Sequence, residues 1–336
     1  MAEGKGIAIV ALTQRGAPQA MVYELLTAGR ALAEKAKEPL YAVLIGGKVA
    51  SYAQDLIDHG ADKVSLVENP ALENFTDELY AKAVAELAEK ENFDKLLLPA
   101  TVAGRSLAAR LSVRLRAGLA AEVCEISING TGLKAKRSQY SGNIISEVEF
   151  KSPVQILTVQ AMVFPRAEKQ AGRAGQTVPF AFNPGPSGIE FMSFQPEEAN
   201  EVDLGAAERI VSGGRGLGNA EGFKIIRDLA HSIGAAVGAS RAVVDSGWIA
   251  YRHQVGLTGR AVHPKLYIAC GISGQIQHLA GMSSSGTIVA INTDPDCPMM
   301  QLASVSVAGD VNELIPLIIA EIRKRKGSAA PGRAAR

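Results

Sequence analysis

Apolar residues along this chain come in short unbroken runs, separated by stretches in which they recur every three or four positions. The first run, Ile7–Leu12, is bounded by Gly4, Gly6 and Thr13 and predicts a strand buried on both faces. Val22, Leu25, Leu26, Leu32, Ala33 and Ala36 then repeat at helical spacing. The alternation continues with strand Tyr41–Ile45, a helix near Tyr52–His59, strand Lys63–Val67, helix Thr76–Glu91, strand Lys95–Pro99 and helix Ser106–Leu115. Strands alternating with helices predict right-handed βαβ units and a parallel sheet. After Gly118 the pattern changes to successive strands at Glu122–Ile128, Leu133–Gln139, Asn143–Phe150 and Val154–Val163, with turns at Asn129–Gly130 and Ser141–Gly142. These hairpins are expected to cap the sheet edge or face a partner chain.

Five prolines between Pro165 and Pro196 mark a linker, broken by one candidate strand at Ile189–Phe194. The domain boundary is placed near Asp203. A second alternation follows: strand Arg209–Val211, a glycine loop, helix Glu221–Ile233, then strands Ala236–Val237, Lys265–Ala269, Thr287–Ile291 and Ser304–Val307, and helix Val311–Lys326. The expected architecture is α/β with two domains, each a mostly parallel sheet flanked by helices, the second a smaller doubly wound, Rossmann-like fold. Residues 1–203 form the first domain, with the Pro-rich linker at 165–203. Residues 204–326 form the second, and 327–336 a basic, flexible tail.

Composition narrows the function classes. With 336 residues, two cores can be buried, and 35 Lys and Arg against 34 Asp and Glu leave no global field that would recruit nucleic acid. Cys124, Cys270 and Cys297 are widely spaced and form no C-x-x-C. Cys124 and Cys270 lie in apolar runs, as buried free thiols of a reducing compartment do. There is no 18-residue apolar run, and MAEGKG leads straight into a strand. The chain therefore reads as a soluble cytoplasmic protein of a bacterium or archaeon. A mitochondrial matrix protein relieved of its presequence would look the same.

The glycines are unevenly placed: 15 of the 34 lie between Gly205 and Gly286, at the ends of the second domain's apolar runs and beside Arg, His and hydroxyl residues. Such loops let a backbone approach a diphosphate and offer N–H groups at helix starts. Ser212-Gly213-Gly214-Arg215-Gly216-Leu217-Gly218 has the strand-before, helix-after context of a dinucleotide loop, but not the G-x-G-x-x-G spacing. Ser240–Arg241 follows a strand end, where a guanidinium can stack on a flat heterocycle or stay a surface ion pair. His278 follows Ser273-Gly274-Gln275-Ile276-Gln277 after another strand. Five histidines without H-x-x-x-H or a Cys/His cluster argue against a metal. Neither an acyl-transfer elbow nor a phosphoryl-transfer loop is present.

In combination and in order, SGGRG from Ser212, VGASRAVVDSGW from Val237, HQVG-x-TG from His253, P-K-LYIA-x-GISG-x-IQHLAGM from Pro264 and IVAIN-x-D from Ile288 resemble the α (large) subunit of electron-transfer flavoprotein. The likeness covers nearly all of Ser212–Val311. It extends more diffusely over the first half through Ala100–Leu115 and Tyr140–Asn143. The resemblance implies a heterodimer with a β subunit, one FAD in the second domain of this chain, and AMP or a second FAD in β. It also implies FAD contacts at Arg215, Ser240, Arg241, Val255, Gly256, Leu257, Thr258, Ser273, Gly274, Gln275, Ile276, Gln277, His278, Asn292, Asp310 and Val311.

Among these, Arg241, Thr258 and His278 would tune the flavin, with Arg241 against the isoalloxazine, Thr258 at its N5 edge and His278 by the pyrimidine carbonyl, favouring a stabilised semiquinone. Ser273 and the amides after it would hold pyrophosphate, and Asn292 and Asp310 the adenosine side. The chain departs from the family pattern at Leu257, usually Gln, at Gln275, commonly Ala, and at Gln160, where the family carries Arg.

The implied role is an electron carrier rather than an enzyme in the strict sense, as in fatty acid β-oxidation. It would take electrons from acyl-CoA dehydrogenases or other flavin dehydrogenases and pass them to a quinone reductase or another acceptor. An alternative is a subunit of an NADH-oxidising, electron-bifurcating complex in which β holds the second FAD. A non-redox nucleotide-binding module is the third reading. For a carrier that meets its partners in turn, the Pro-rich segment is expected to be a hinge.

Overall fold

The computed structural model describes residues 6–130, 132–140, 144–193 and 204–328. These divide into two compact units, the first ending within the Pro-rich segment and the second holding 204–328. The expected boundary at Asp203, the turn at Ser141–Gly142 and the tail beyond Ser328 lie outside the described residues.

The first unit is built on β1 (Ile7–Ala11), a small hairpin of β2 (Thr13–Gln14) and β3 (Ala17–Pro18), α1 (Ala20–Ala36), β4 (Leu40–Gly46), α2 (Ala53–Asp58), β5 (Lys63–Glu68), α3 (Asp77–Glu91), β6 (Lys95–Pro99) and α4 (Val102–Arg114). It continues with β7 (Gly118–Asn129), β8 (Gly132–Gln139), β9 (Ile144–Glu149), β10 (Gln155–Val159) and β11 (Gln176–Pro179). Alternate residues of the central strands feed opposite cores. Ile7, Ile9 and Ala11 pack with α1 and α2, whereas Ala8, Val10 and Leu12 pack with α3 and α4. A strand covered on both faces has no reason to alternate polar and apolar residues, which is why its run is unbroken. Helix α4 starts four residues ahead of the expected Ser106 because Thr101 caps it, its side chain accepting from the Gly104 N–H at 3.2 Å.

Sheet order is β11-β5-β4-β1-β6-β10-β7-β8-β9. The expected hairpins do extend one edge, as antiparallel β7-β8-β9. β10 is not the next strand outward, however: it returns to lie parallel between β6 and β7. Residues Ile189–Ser193 of the expected strand are not extended into any sheet, and the edge strand is instead β11, parallel to β5. Cys124, expected to be buried, is half-buried, while Cys270 and Cys297 are buried; all three are free thiols.

Residues 164–182 form a strap rather than a linker. Phe164 and Ala167 pack on the α1/α2 core, β11 runs along β5, and Phe180 and Phe182 pack on the α3/α4 core, so the strap passes round the sheet edge. Lys169 meets Asp55 at 2.8 Å and Arg173 meets Asp62 at 2.6 Å. Surface pairs of this kind contribute little, whereas burying a phenylalanine contributes about 2 kcal/mol or more. Phe182→Ala is therefore expected to free the strap and speed proteolytic cutting between residues 165 and 193 at least about tenfold, for a loss of about 1.4 kcal/mol or more. Limited proteolysis with mass readout checks this; an unchanged pattern would leave the strand pairing and ion pairs as sufficient anchors.

The second unit contains β12 (Arg209–Gly213), α5 (Phe223–Ile233), β13 (Ala236–Ala239), α6 (Arg241–Asp245), β14 (Leu266–Cys270), α7 (Ile276–Leu279), β15 (Thr287–Asn292), α8 (Pro298–Leu302), β16 (Val305–Ala308) and α9 (Val311–Ser328). All five strands are parallel, in the order β13-β12-β14-β15-β16. α5 and α9 cover one face through Phe223, Ile226, Leu229, Val311 and Ile315, and Tyr267, Met282, Met299 and Met300 fill the other. The chain leaves β12 in one direction and re-enters at β14 on its other side. Such a reversal opens a crevice at the carboxyl ends of the two strands, where doubly wound folds hold their ligands.

Candidate functional site

Every site residue expected from the sequence lies at that carboxyl edge or in the loop folded over it. Arg215 follows β12, Ser240 and Arg241 follow β13, Ser273–His278 follow β14, Asn292 ends β15, and Asp310 and Val311 join β16 to α9. Val255–Thr258 are brought in by backbone pairing: the Val255 N–H donates to Ala239 O at 2.9 Å and the Leu257 N–H to Gln277 O at 2.7 Å.

The floor of the crevice is glycine against glycine. The Gly214 N–H donates to Cys270 O at 2.9 Å and the Gly216 N–H to Gly271 O at 3.0 Å, and a Cβ on Gly271, whose φ is +63°, would lie 2.7 Å from Gly216 Cα. A side chain at either loop would push the two strand ends apart. Gly274, at φ +84°, lies so close to the Met299 backbone that a Cβ would collide with its N–H. Beyond it, the N–H groups of Gly274, Gln275, Ile276 and Gln277 have no hydrogen-bond partner among the described residues. Four neighbouring free donors at the entrance to α7 suit an anion.

The side chains differ in how free they are. Arg241 is exposed at 64% and held 3.2 Å from Asp245, so its charge is partly balanced. Thr258 is exposed, its Oγ1 accepting from the buried Gln254 amide at 3.0 Å and its carbonyl from the Tyr251 hydroxyl. Arg215, Ser273, Gln275 and Gln277 are exposed, as are the apolar side chains of Leu257 and Ile276. Three residues are less available than their positions in the sequence imply. Asn292 spends Nδ2 on Ile272 O at 3.1 Å and Oδ1 on the Asp294 N–H at 3.1 Å, tying the β14 and β15 loops together. Val311 is buried in the α5/α9 core, leaving only its backbone on the crevice side. Asp310 Oδ1 likewise accepts from the Asn312 N–H at 2.7 Å, opening α9.

His278 is the buried polar residue of the group. Its Nε2 lies 2.9 Å from the hydroxyl of Tyr267 on β14, and its Nδ1 is buried with no partner. Burial lowers its pKa to about 4, with the Val255 backbone opposing the shift from outside hydrogen-bonding geometry with Nδ1, so the imidazole is neutral at pH 7. Burial also raises Tyr267, against the nearby Ser212 hydroxyl, and Cys270, the latter to about 12, so neither ionises. Burial thus disfavours positive charge on His278, while its donor character survives. Tyr267 and Tyr251 were not legible as site residues: one sits in the apolar run LYIAC and reads as core, and the other bonds a carbonyl seven residues away. No group of three or more possible metal ligands occurs among the described residues, and no helix there is long and apolar enough to cross a membrane.

Comparison with known proteins finds two family models along the chain. A family model described as the electron transfer flavoprotein domain matches residues 7–183, and one described as the electron transfer flavoprotein FAD-binding domain matches residues 203–283. The electron transfer flavoprotein subunit alpha of Thermoanaerobacterium thermosaccharolyticum is 45% identical over 331 residues, covering 97% of this chain and all of that one. The subunit of the same name from Bacillus subtilis is 36% identical, covering 96% of this chain and 98% of its own. Protein FixB of Clostridium saccharobutylicum is also 36% identical, with the same two coverages.

Proposed function

The chain belongs to the electron transfer flavoprotein α-subunit family, and from that premise we propose that it holds one FAD in the crevice of its second unit and carries electrons between flavoproteins as one half of a heterodimer with a β subunit. The observation that supports this most directly is the run of four partnerless amides, Gly274 to Gln277, leading straight into His278 with its partnerless buried Nδ1. A buried polar group without a partner, as Nδ1 is, costs about 1–3 kcal/mol; a ligand with ring carbonyls removes that cost, and its phosphate oxygens can accept from the amides. FAD has both, so the residues present fit the group.

In this reading the amides of Gly274–Gln277 hold the pyrophosphate, and the exposed Ser273 and Arg215 flank it. Val255, Gly256 and Leu257 would contribute backbone, Thr258 would offer its hydroxyl to the ring edge, and Ser240 and Arg241 would face the ring, with the guanidinium against it. Asn292, Asp310 and Val311 border the adenosine end, through backbone where their side chains are already engaged. FAD supplies, when bound, the one- and two-electron redox chemistry that no side chain here has. The protein orients it, withholds water from His278 and sets the charge around it. A guanidinium and an uncharged donor both favour negative charge on the ring, and so raise its affinity for electrons.

Flavin dehydrogenases such as those acting on acyl-CoA are the proposed donors, and a quinone reductase or another oxidant the proposed acceptor. The experiment is to co-purify α and β chains, release their nucleotides by heat and separate them. One FAD and one AMP per heterodimer is the expected result. Two FAD would assign the complex to the NADH-oxidising, bifurcating class, and no flavin would overturn the reading.

A further inference from the structure

The Tyr267–His278 contact is a buried polar pair at the crevice, and its proton positions follow from counting. Tyr267 is fully buried and His278 nearly so, with 2.9 Å between the hydroxyl and Nε2. A phenol carries one proton, and a neutral imidazole carries one, on either nitrogen. If His278 donated from Nε2, the Tyr267 proton would need another acceptor. Ser212 Oγ, though beside it, is without a hydrogen-bond partner by geometry. Nδ1 would then be an unmatched lone pair as well, giving two unsatisfied buried groups. If Tyr267 donates, Nε2 is satisfied and a single group, the Nδ1–H, is left over. With each unsatisfied buried group costing about 1–3 kcal/mol, the second arrangement wins. The Val255 backbone near the ring favours an N–H as well, since a carbonyl can only accept.

We infer that Tyr267 is a positioning residue: it donates to Nε2 and fixes neutral His278 as the Nδ1–H tautomer, so that the imidazole meets the bound cofactor as an uncharged hydrogen-bond donor. Tyr267 itself touches no ligand and acts through His278. A bound ring carbonyl is then the acceptor that completes the set, and this last step rests on the FAD reading above.

The test is nitrogen NMR of the full-length chain in complex with its β subunit, with histidine nitrogens labelled. Five histidines keep the spectrum small, and His278→Gln assigns the signal. At neutral pH, His278 is expected to show a protonated, pyrrole-type Nδ1 and a pyridine-type Nε2. In FAD-depleted protein Tyr267→Phe should shift His278 toward a mixture of tautomers, because neither ring nitrogen then has a hydrogen-bond partner, and Ser212→Ala should change nothing. A protonated Nε2 in the unaltered protein would overturn the inference. So would, in FAD-depleted protein, a tautomer indifferent to Tyr267→Phe, or one that switches in Ser212→Ala. Should Tyr267→Phe fail to fold, the unaltered spectrum and Ser212→Ala decide it. Comparing FAD-loaded with FAD-depleted protein separates the two layers: the tautomer should be the same in both, and the Nδ1 signal should move on loading. A fixed tautomer with an unmoved Nδ1 would place the flavin elsewhere and leave the role of Tyr267 standing.

Discussion

Gly271→Ala is expected to weaken FAD binding by a factor of about 30 or more. Two costs add. An alanine at φ +63° is strained by about 1 kcal/mol, and its Cβ must also displace the Gly216 backbone 2.7 Å away, breaking the pair of bonds that holds the β12 and β14 loops together. A combined loss of about 2 kcal/mol corresponds to that factor. Gly218→Ala is the control, because Gly218 also has positive φ, +83°, but a Cβ there meets nothing within 4 Å. It should lose only the conformational part, about fivefold at most if the whole of that 1 kcal/mol reached the site. Titration of flavin-depleted protein with FAD distinguishes them, and equal losses would mean that the glycine interlock does not shape the crevice.

Charge at Arg241 should set the flavin's reduction potential. A unit charge about 4 Å from the ring in solvent-like surroundings interacts by about 1 kcal/mol, which for one electron is roughly 40 mV. The structure adds a partner with the opposite effect: Asp245, 3.2 Å from Arg241 on the next turn of α6. Arg241→Ala should therefore lower the potential by about 40 mV, and Asp245→Asn should raise it by a smaller amount. Potentiometric titration of FAD-loaded complexes reads both. Unchanged potentials in both variants would remove Arg241 from the ring, and a fall in both would mean that α6 acts by shape instead of charge.

Much of the site was readable beforehand because its residues are local to strand ends. A strand, a glycine turn and a short helix are contiguous, and once the strands are parallel their carboxyl ends converge without further information. That is how Arg215, Ser240, Arg241 and Ser273–His278 came to lie on one edge. Asn292 and Val311 were harder, since position alone does not reveal that Asn292 has spent both ends on Ile272 and Asp294, or that Val311 faces the core. The strap misled for a related reason. Prolines at Pro165, Pro179, Pro184 and Pro186 suggest a linker, yet an edge strand four residues long needs only one row of donors and tolerates a proline at its end.

The sequence by itself determined the two runs of βα alternation, hence two parallel sheets, and the family to which the glycine-rich loops belong. The alternation was legible because burial on both faces and turns at strand ends leave local, countable patterns; the family came from the resemblance of the glycine-rich motifs, in order, to a known one. Tertiary structure alone decided that β10 slips between β6 and β7, that the strap wraps the edge at β5, and that a tyrosine from an apolar strand reaches His278. These depend on which distant segments meet. A parallel neighbour or a buried hydroxyl partner is set by packing across the fold, and leaves no periodicity in the chain that supplies it.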